Sequence, residues 1–183
     1  MRKRTYREQG FTLIELIVVF ACIQVLVALA VPAFGQYVKK SKSSEAVTHL
    51  NSLFKGASSY YQKGQVGSQG LTSADAGHCI VGTTSLLPTT PSAQKQHVDF
   101  QNVAEYRAIG FNLTGQAYYG FRIVSASATS VCKQSANTTL YTFMAMGDLD
   151  GDNIFSRFEL ATASNDNNEL YHQRSIYILN ESE

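Results

Sequence analysis

The sequence has almost no surplus of charge of either sign and lacks a cluster of residues with catalytic spacing. Lys and Arg number 15 and Asp and Glu number 14. The formal net charge is therefore +1, which gives no electrostatic reason to expect nucleic acid as a partner. No Ser, Cys or metal-ligand cluster with catalytic spacing accompanies the four histidines. The sequence thus indicates neither a nucleic-acid-binding protein nor an enzyme.

The length and the distribution of charge predict one globular head on an anchor. At 183 residues the chain suffices for one ordinary domain plus an anchoring segment, and is short for two full domains. Basic residues stand at Arg2, Lys3, Arg4 and Arg7, against a single acid, Glu8, in the same stretch. A basic leader therefore precedes a mildly acidic body.

Residues 11–34 form an almost continuous apolar run, FTLIELIVVFACIQVLVALAVPAF. This is long enough to cross a bilayer as a helix, which needs about 20 residues. The small residue Gly10 comes before the run, whereas a secretory signal places small residues after it. Cleavage here would leave the helix on the product. The basic leader is predicted to stay inside and the rest to point out of the cytoplasm.

The stretch Gly10-Phe11-Thr12-Leu13-Ile14-Glu15-Leu16 resembles the processing signature of the type IV pilin and type II secretion pseudopilin superfamily. The resemblance implies that a prepilin peptidase cuts between Gly10 and Phe11 and methylates the new terminal Phe11. It divides the chain into a leader (1–10), a transmembrane and filament-core helix (11–34), and an exported head (35–183) that includes the C-terminal half of the helix.

Glu15 is a carboxylate inside the predicted membrane helix. Its insertion costs roughly 2.5 to 3.5 kcal/mol unless a partner is found. One interpretation is a protonated Glu tolerated near the helix end. The resemblance implies another, in which Glu15 pairs with the N-terminal amine of Phe11, on a neighbouring subunit or on its own chain. Such a pair would specify the register of assembly, because a misplaced subunit leaves a charge unpaired.

Pro32 lies inside the same helical stretch and removes one backbone hydrogen bond, which predicts a kink or local loosening. The resemblance implies partial unwinding of the helix here within a filament. This chain has Gln24 where many family members have glycine. A static kink and an unwound segment therefore both remain possible interpretations of Pro32.

Beyond Pro32 the pattern becomes amphipathic, and the helix is predicted to continue to about Lys63, before glycines at 64, 67 and 70. Its apolar face comprises Val47, Leu50, Leu53, Phe54, Ala57, Tyr60 and Tyr61. Aromatic and β-branched residues predict strands within 117–125, 140–146 and 175–179. A long helix packed on a small antiparallel sheet is an α+β arrangement, as the resemblance also implies for pilins.

The segment 65–101 is rich in Gly, Ser, Thr, Gln and Pro, and predicts a long loop with at most short elements. The three cysteines separate clearly, because Cys22 lies in the membrane helix and the other two in the exported head. Cys79 and Cys132 are therefore candidates for a disulfide in an oxidising compartment. Cys22 is expected to pack as a small hydrophobe.

Residues 148–159 resemble the twelve-residue EF-hand calcium loop, which gathers six to eight oxygen ligands around Ca²⁺. The match predicts side-chain ligands at Asp148, Asp150, Asp152 and Glu159, a carbonyl ligand at Ile154 and a direct or water-mediated ligand at Ser156. Two features depart from the pattern. Asn153 replaces the usual glycine, and the preceding segment is a predicted strand, with a short helix expected after the loop.

The resemblance favours a structural subunit of a type IV pilus filament that serves adhesion or twitching motility. The alternative is a pseudopilin of a type II secretion system. Either would begin as a single-pass inner-membrane protein and become part of a filament, at the cell surface in the case of a pilus. The implied partners are other pilin subunits, inner-membrane lipid, the prepilin peptidase and the assembly machinery.

Overall fold

A computed structural model describes residues 10–63, 77–113 and 115–181. The basic leader before Gly10, the glycines at 64, 67 and 70, and the predicted loop up to residue 76 lie outside the described residues. The chain divides into two compact units, Met1–Val38 and Lys39–Glu183. The predicted strands and the predicted calcium loop fall in the second unit.

Helix α1 spans Leu13–Lys63, which confirms the prediction of one long helix. The helix continues unbroken through Pro32, although a proline cannot donate the usual backbone hydrogen bond. Among the described residues, α1 is the one helix long and apolar enough to cross a membrane. Its length and composition therefore agree with the predicted membrane anchor.

The later part of α1 buries one face in the core of the second unit. The fully buried residues on this face are Ala46, Leu50, Leu53, Ala57 and Tyr61. They recur at steps of three and four, as a helical face requires. Val47, Phe54 and Tyr60 pack against this core as partly buried residues. The amphipathic face predicted from the sequence is thus confirmed.

The head contains two antiparallel sheets and two short helical segments. The strands are β1 (Gln96–His97), β2 (Gln116–Ala117), β3 (Gly120–Ser125), β4 (Thr139–Gly147), β5 (Ser156–Ser164), β6 (Leu170–His172) and β7 (Tyr177–Leu179). A 3-10 turn covers Phe100–Asn102 and helix α2 covers Ala104–Ala108. β1 pairs with β2, and the larger sheet has the order β3-β4-β5-β6, with β7 also paired to β5. The predicted α+β fold is confirmed.

Contacts across the core join α1 to this larger sheet. The ring of His49 lies edge-on to Phe121 of β3, with 5.4 Å between centroids. The ring of Phe54 meets His172 of β6 at 4.5 Å. Strands β4 and β5 alternate buried and half-buried residues along most of their length, as expected for a sheet with one face in the core.

Strand β5 corrects the sequence analysis in one respect. The expectation of a short helix after the predicted loop 148–159 was wrong, because Ser156–Ser164 is a nine-residue strand paired with β4 along almost its whole length. Its inward positions at both ends carry Ser or Thr instead of apolar residues, so alternation of hydrophobicity is weak. Their buried hydroxyls are satisfied, for example by the Ser156 Oγ–H donated to the Gly147 carbonyl at 3.1 Å.

The disulfide between Cys79 and Cys132 forms as predicted. Beside it, Ile80 and Val131 exchange two backbone hydrogen bonds of 2.8 and 3.0 Å. The described part of the predicted loop, 77–101, contains short elements only, which agrees with the prediction. Cys22 is a free and exposed cysteine on α1, so it is not packed as a small hydrophobe within this chain.

Candidate assembly and metal-binding sites

The start of α1 is organised by Thr12 and Glu15. One carboxylate oxygen of Glu15, Oε2, accepts hydrogen bonds from the Thr12 backbone N–H at 2.9 Å and from the Thr12 hydroxyl at 2.7 Å. The Thr12 hydroxyl oxygen in turn accepts from the Glu15 N–H at 3.4 Å. This reciprocal pair is a capping box, which satisfies backbone donors that the first turn of a helix leaves free.

The capping box was missed by the sequence analysis, although its signal is visible. Thr12 and Glu15 have the Ser/Thr-x-x-Glu spacing directly before an apolar run. Glu15 therefore has a local partner within its own chain. A second role, as the partner of the Phe11 amine, requires that amine to be released by cleavage after Gly10.

The first part of α1 exposes a continuous apolar surface. Its large side chains from Phe11 to Tyr37 are about half to four-fifths exposed, with Phe11 at 83% and Leu29 at 69%. An apolar surface of this extent marks a site of contact with lipid or with other protein. In this segment the surface carries one carboxylate, Glu15, and no basic residue.

The second candidate site is the turn between β4 and β5. Carboxylate oxygens of Asp148, Asp150 and Asp152 lie within 4.8 Å of one another. Two oxygens bound to one Ca²⁺ at 2.3 to 2.6 Å can be at most about 5 Å apart. The three aspartates therefore form a cluster that could hold a metal ion.

Backbone geometry holds Asp148 in place. Its Oδ1 accepts from the Gly151 N–H at 2.7 Å and its Oδ2 from the Asn153 N–H at 3.2 Å. Gly151 and Asn153 have φ values of +80° and +68°, the left-handed region that Gly and Asn tolerate best. Asn153 thus takes the conformation for which an EF-hand loop ordinarily uses glycine.

Asp150 is paired with a cation from α1. The Lys39 Nζ lies 2.9 Å from the Asp150 Oδ2, and both side chains are about one-third exposed. This contact joins residues 111 positions apart and could not be read from the sequence. A metal ion at the aspartates would compete with the Lys39 ammonium for this carboxylate.

The other predicted ligands are placed differently. Ser156 is buried at the start of β5, and Glu159 lies further along that strand with its Oε1 3.1 Å from the Nε of Arg157. Glu159 is not part of the aspartate cluster. Ile154 has an exposed side chain, and its N–H donates to the Asp152 Oδ1 at 2.7 Å. The structure therefore brings together three of the six predicted ligands.

The histidines are not among the residues that form either site. His49, His78 and His172 each contact an aromatic ring, and His97 is exposed in β1. Burial lowers the pKa of His49, Glu45 opposes this shift, and Lys95 adds to it. Three of the four histidines thus have packing roles in the described residues.

Comparison with known proteins gives several relatives. The chain is 44% identical over 57 residues to the type IV major pilin protein PilA of Myxococcus xanthus, covering 31% of this chain and 26% of that protein. It is 35% identical over 89 residues to a fimbrial protein of Moraxella nonliquefaciens, covering 46% and 58%. It is 33% identical over 96 residues to a fimbrial protein of Pseudomonas aeruginosa, covering 52% and 62%.

The chain is thus similar to proteins named as type IV pilin and fimbrial proteins. Its matches span less than two-thirds of each of these relatives. No protein-family model matches it. No solved structure matches it either.

The features that resemble pilins are concentrated at the start of α1. The glycine-to-phenylalanine junction, the Glu four residues after the phenylalanine, and the exposed apolar helix all lie in this segment. The aspartate turn lies in the C-terminal part of the sequence and has no counterpart in the motif. The function of each site can therefore be considered independently of the other.

Proposed function

We propose that this chain is a structural subunit of a type IV pilus filament. The observation that carries the proposal is the exposed apolar segment of α1, headed by Phe11 and interrupted by the single charge of Glu15. Its relatives are named as pilus or fimbrial proteins, which favours a pilus over a secretion pseudopilus. The chain would be a building element of the filament and would have no catalytic part in it.

Processing and assembly follow from the chemistry of this segment. Cleavage between Gly10 and Phe11 by a prepilin peptidase removes the basic leader and creates a positive amine on Phe11. Before assembly, α1 anchors the subunit in the inner membrane with its head outside the cytoplasm. In the filament, apolar helices pack on one another, and each Glu15 meets a Phe11 amine, which fixes the register. Pro32 is the point at which α1 can bend or unwind during this change.

Intact-mass analysis of purified filaments tests the proposal. The expected mature chain begins at Phe11 and carries one added methyl group. Filaments labelled by an antibody against the head should extend from the cell surface. A mature chain that begins at Met1, or beyond residue 34, would contradict the processing step. Labelling confined to the periplasm would instead support the pseudopilus.

The aspartate turn supports a second proposal, that Asp148, Asp150 and Asp152 bind calcium. The Lys39 ammonium pairs with only one of the three crowded carboxylates, so repulsion among them still favours a further cation, and calcium prefers oxygen ligands in flexible geometry. The Ile154 carbonyl is a further ligand in this proposal. Ser156 and Glu159 stay predictions, and the positions of their side chains make both weaker candidates than the aspartates.

Thermal melting of the full chain in detergent tests calcium binding. A ligand that binds only the folded state stabilises it by about 2.7 kcal/mol at a hundred times its dissociation constant. The melting temperature should be higher in calcium than in chelator, and magnesium should substitute poorly. Asp150→Ala should lose most of this difference. Asp166→Ala, in another exposed turn, should keep it.

The calcium-dependent difference is the informative quantity, because Asp150→Ala also removes the Lys39 ion pair. Because calcium competes with Lys39 for this carboxylate, the lost ion pair lowers stability mainly in chelator and would by itself widen the difference, so a narrower difference reports lost calcium binding. Identical melting curves for the unmodified chain in calcium and in chelator would show that the aspartates form an acidic turn without an ion. The filament proposal would be unaffected.

A further inference from the structure

A cleft lies between α1 and the segment that leads into β2. Its volume is about 370 Å³, within the range of small-molecule sites. The residues that give it its chemical character are Glu45, His49, Lys95, Phe111, Asn112 and Gln116. None of these belongs to the aspartate turn or to the N-terminal motif. The cleft therefore needs an explanation of its own.

Several uncharged polar groups face this cleft without a protein partner. His49 packs edge-on against Phe111 and Phe121, but in the described part of the chain its ring nitrogens make no hydrogen bond. The exposed side-chain amides of Asn112 and Gln116 also make none there. A neutral imidazole and two amides each offer a donor and an acceptor. This combination suits a ligand with several hydroxyl groups.

The lining of the cleft carries one cation, Lys95, and one carboxylate, Glu45, and Lys42 adds a second cation beside the Tyr118 ring. The Nζ atoms of Lys42 and Lys95 lie 4.5 and 5.1 Å from the centre of the Tyr118 ring. The only carboxylate near them is that of Glu45, among the lining residues. Its Oε1 already accepts the Tyr118 N–H at 2.9 Å. Its Oε2 is 3.9 Å from the Lys95 Nζ, which is beyond hydrogen-bond distance. Lys95 can therefore still donate to an anionic oxygen.

We propose that this cleft binds an acidic sugar, with the ligand's carboxylate on Lys95 and its hydroxyl groups on His49, Asn112 and Gln116. A simple inorganic anion would use Lys95 and leave the two amides and the imidazole unpaired. A neutral sugar would give the Lys95 ammonium no anionic oxygen closer than that of Glu45 at 3.9 Å. The sugar can be a free monosaccharide or the end of an acidic polysaccharide. The inference does not depend on filament assembly.

Calorimetric titration of the full chain in detergent tests the proposal, with glucuronate, glucose and inorganic phosphate as probes. Glucuronate should bind saturably and at least tenfold more tightly than glucose or phosphate. Lys95→Gln should weaken glucuronate binding at least tenfold, while Lys55→Gln, an exposed lysine of α1 outside the cleft, should not. His49→Phe should also weaken binding, because it keeps the ring packing and removes the nitrogens.

Three results would overturn the inference. The first is the absence of saturable glucuronate binding by a chain whose melting curve shows that it is folded. The second is an affinity for glucose or for phosphate equal to that for glucuronate. Equal binding of glucose would show that the acid group is not recognised, and equal binding of phosphate would show that the sugar hydroxyls are not recognised. The third is an equal loss of affinity in Lys95→Gln and Lys55→Gln. A glucuronate oligomer distinguishes the sources: binding as tight as the monosaccharide supports a polysaccharide end, and weaker binding supports a free acidic sugar.

Discussion

Gly56 shows how a single residue decides the contact between α1 and the rest of the head. A Cβ at this position would collide with the backbone carbonyl oxygen of Ile109, at the C-terminal end of α2. Glycine costs about 1 kcal/mol relative to alanine inside a helix. The close approach of the two helices is what makes glycine preferable at this position.

Gly56→Ala should therefore lower the free energy of unfolding by about 1 to 3 kcal/mol, since overpacking against backbone outweighs the gain in helix propensity. Gly35→Ala is the matched control, because a Cβ at Gly35 meets nothing within 4 Å. It should be neutral or slightly stabilising. Denaturant unfolding followed by tyrosine fluorescence measures both variants, as the chain has ten tyrosines and no tryptophan. Equal stability of the two variants would refute the packing argument.

His49 should make the stability of the head depend on pH. Burial lowers its pKa from the ordinary value of 6.5, so near that pH the unfolded chain binds more protons than the folded one. The contribution of neutral His49 to stability is thus complete above pH 6.5. It is lost as the pH falls through the lower pKa that His49 has in the folded state. The melting temperature should fall between pH 7 and pH 5. His49→Phe should reduce that fall, and a variant of exposed His97 should not.

At the scale of elements, the disulfide joins two segments that little regular structure holds. Cys79 follows the undescribed residues after α1, and Cys132 lies between β3 and β4. The described residues beside it are paired by one isolated bridge, Ile80 to Val131, and by hydrogen bonds from the Lys133 and Gln134 N–H groups to the carbonyls of Gly77 and His78. The covalent link therefore restricts a part of the head that lies outside the larger sheet.

The Cys79→Ser and Cys132→Ser double variant should lose about 2 to 4 kcal/mol of stability, as is typical when a bridge closes a long loop. The bridge here joins residues 53 positions apart. Cys22→Ser is the control. It should unfold at the same denaturant concentration as the unmodified chain, because Cys22 is free. Unfolding at unchanged denaturant concentration in the double variant would show that the bridge adds nothing to stability.

Strand β5 explains why the sequence was harder to interpret in the C-terminal half. Of its inward residues only Phe158 and Leu160 are large and apolar, while Ser156, Thr162 and Ser164 are small and hydroxylated. Those hydroxyls are accommodated because backbone carbonyls of neighbouring segments accept their hydrogen bonds. Such partners exist only after β4 and the segment before it have folded beside β5.

At the scale of the whole molecule, Glu15 has two possible partners, Thr12 in its own chain and the Phe11 amine of a neighbour. Glu15→Val should improve insertion, since it removes a cost of roughly 2.5 to 3.5 kcal/mol, and should abolish assembly. Thr12→Ala removes the capping hydroxyl at a cost of about 0.5 to 2 kcal/mol but keeps the carboxylate, so filaments should still form. Filament counts by electron microscopy measure both.

These two variants separate the roles of Glu15. Filaments in Thr12→Ala but not in Glu15→Val would support the intersubunit pair. Loss of filaments in both would point to the capping box as the essential function. If the chain assembles without other subunits, normal filament numbers in Glu15→Val would contradict the proposed pairing of Glu15 with the Phe11 amine.

The sequence by itself determined the features that depend on neighbouring residues. The apolar run, the motif around Gly10 and the apolar face of α1 are local or periodic patterns. The amino-acid sequence alone therefore contains the information needed to recognise them. The disulfide could be predicted because only two cysteines lie outside the apolar run. Asn153 could be recognised as a tolerable substitute for glycine, since its conformation is a property of the residue itself.

Only the tertiary structure decided which distant residues meet. Lys39 pairs with Asp150 because α1 and the β4–β5 turn converge. The cleft joins α1, Lys95 and the segment before β2, three parts of the chain with no shared local pattern. Glu159 is separated from the aspartates because pairing with β4 places it along a strand. Backbone pairing and core packing, which are long-range interactions, determine these positions.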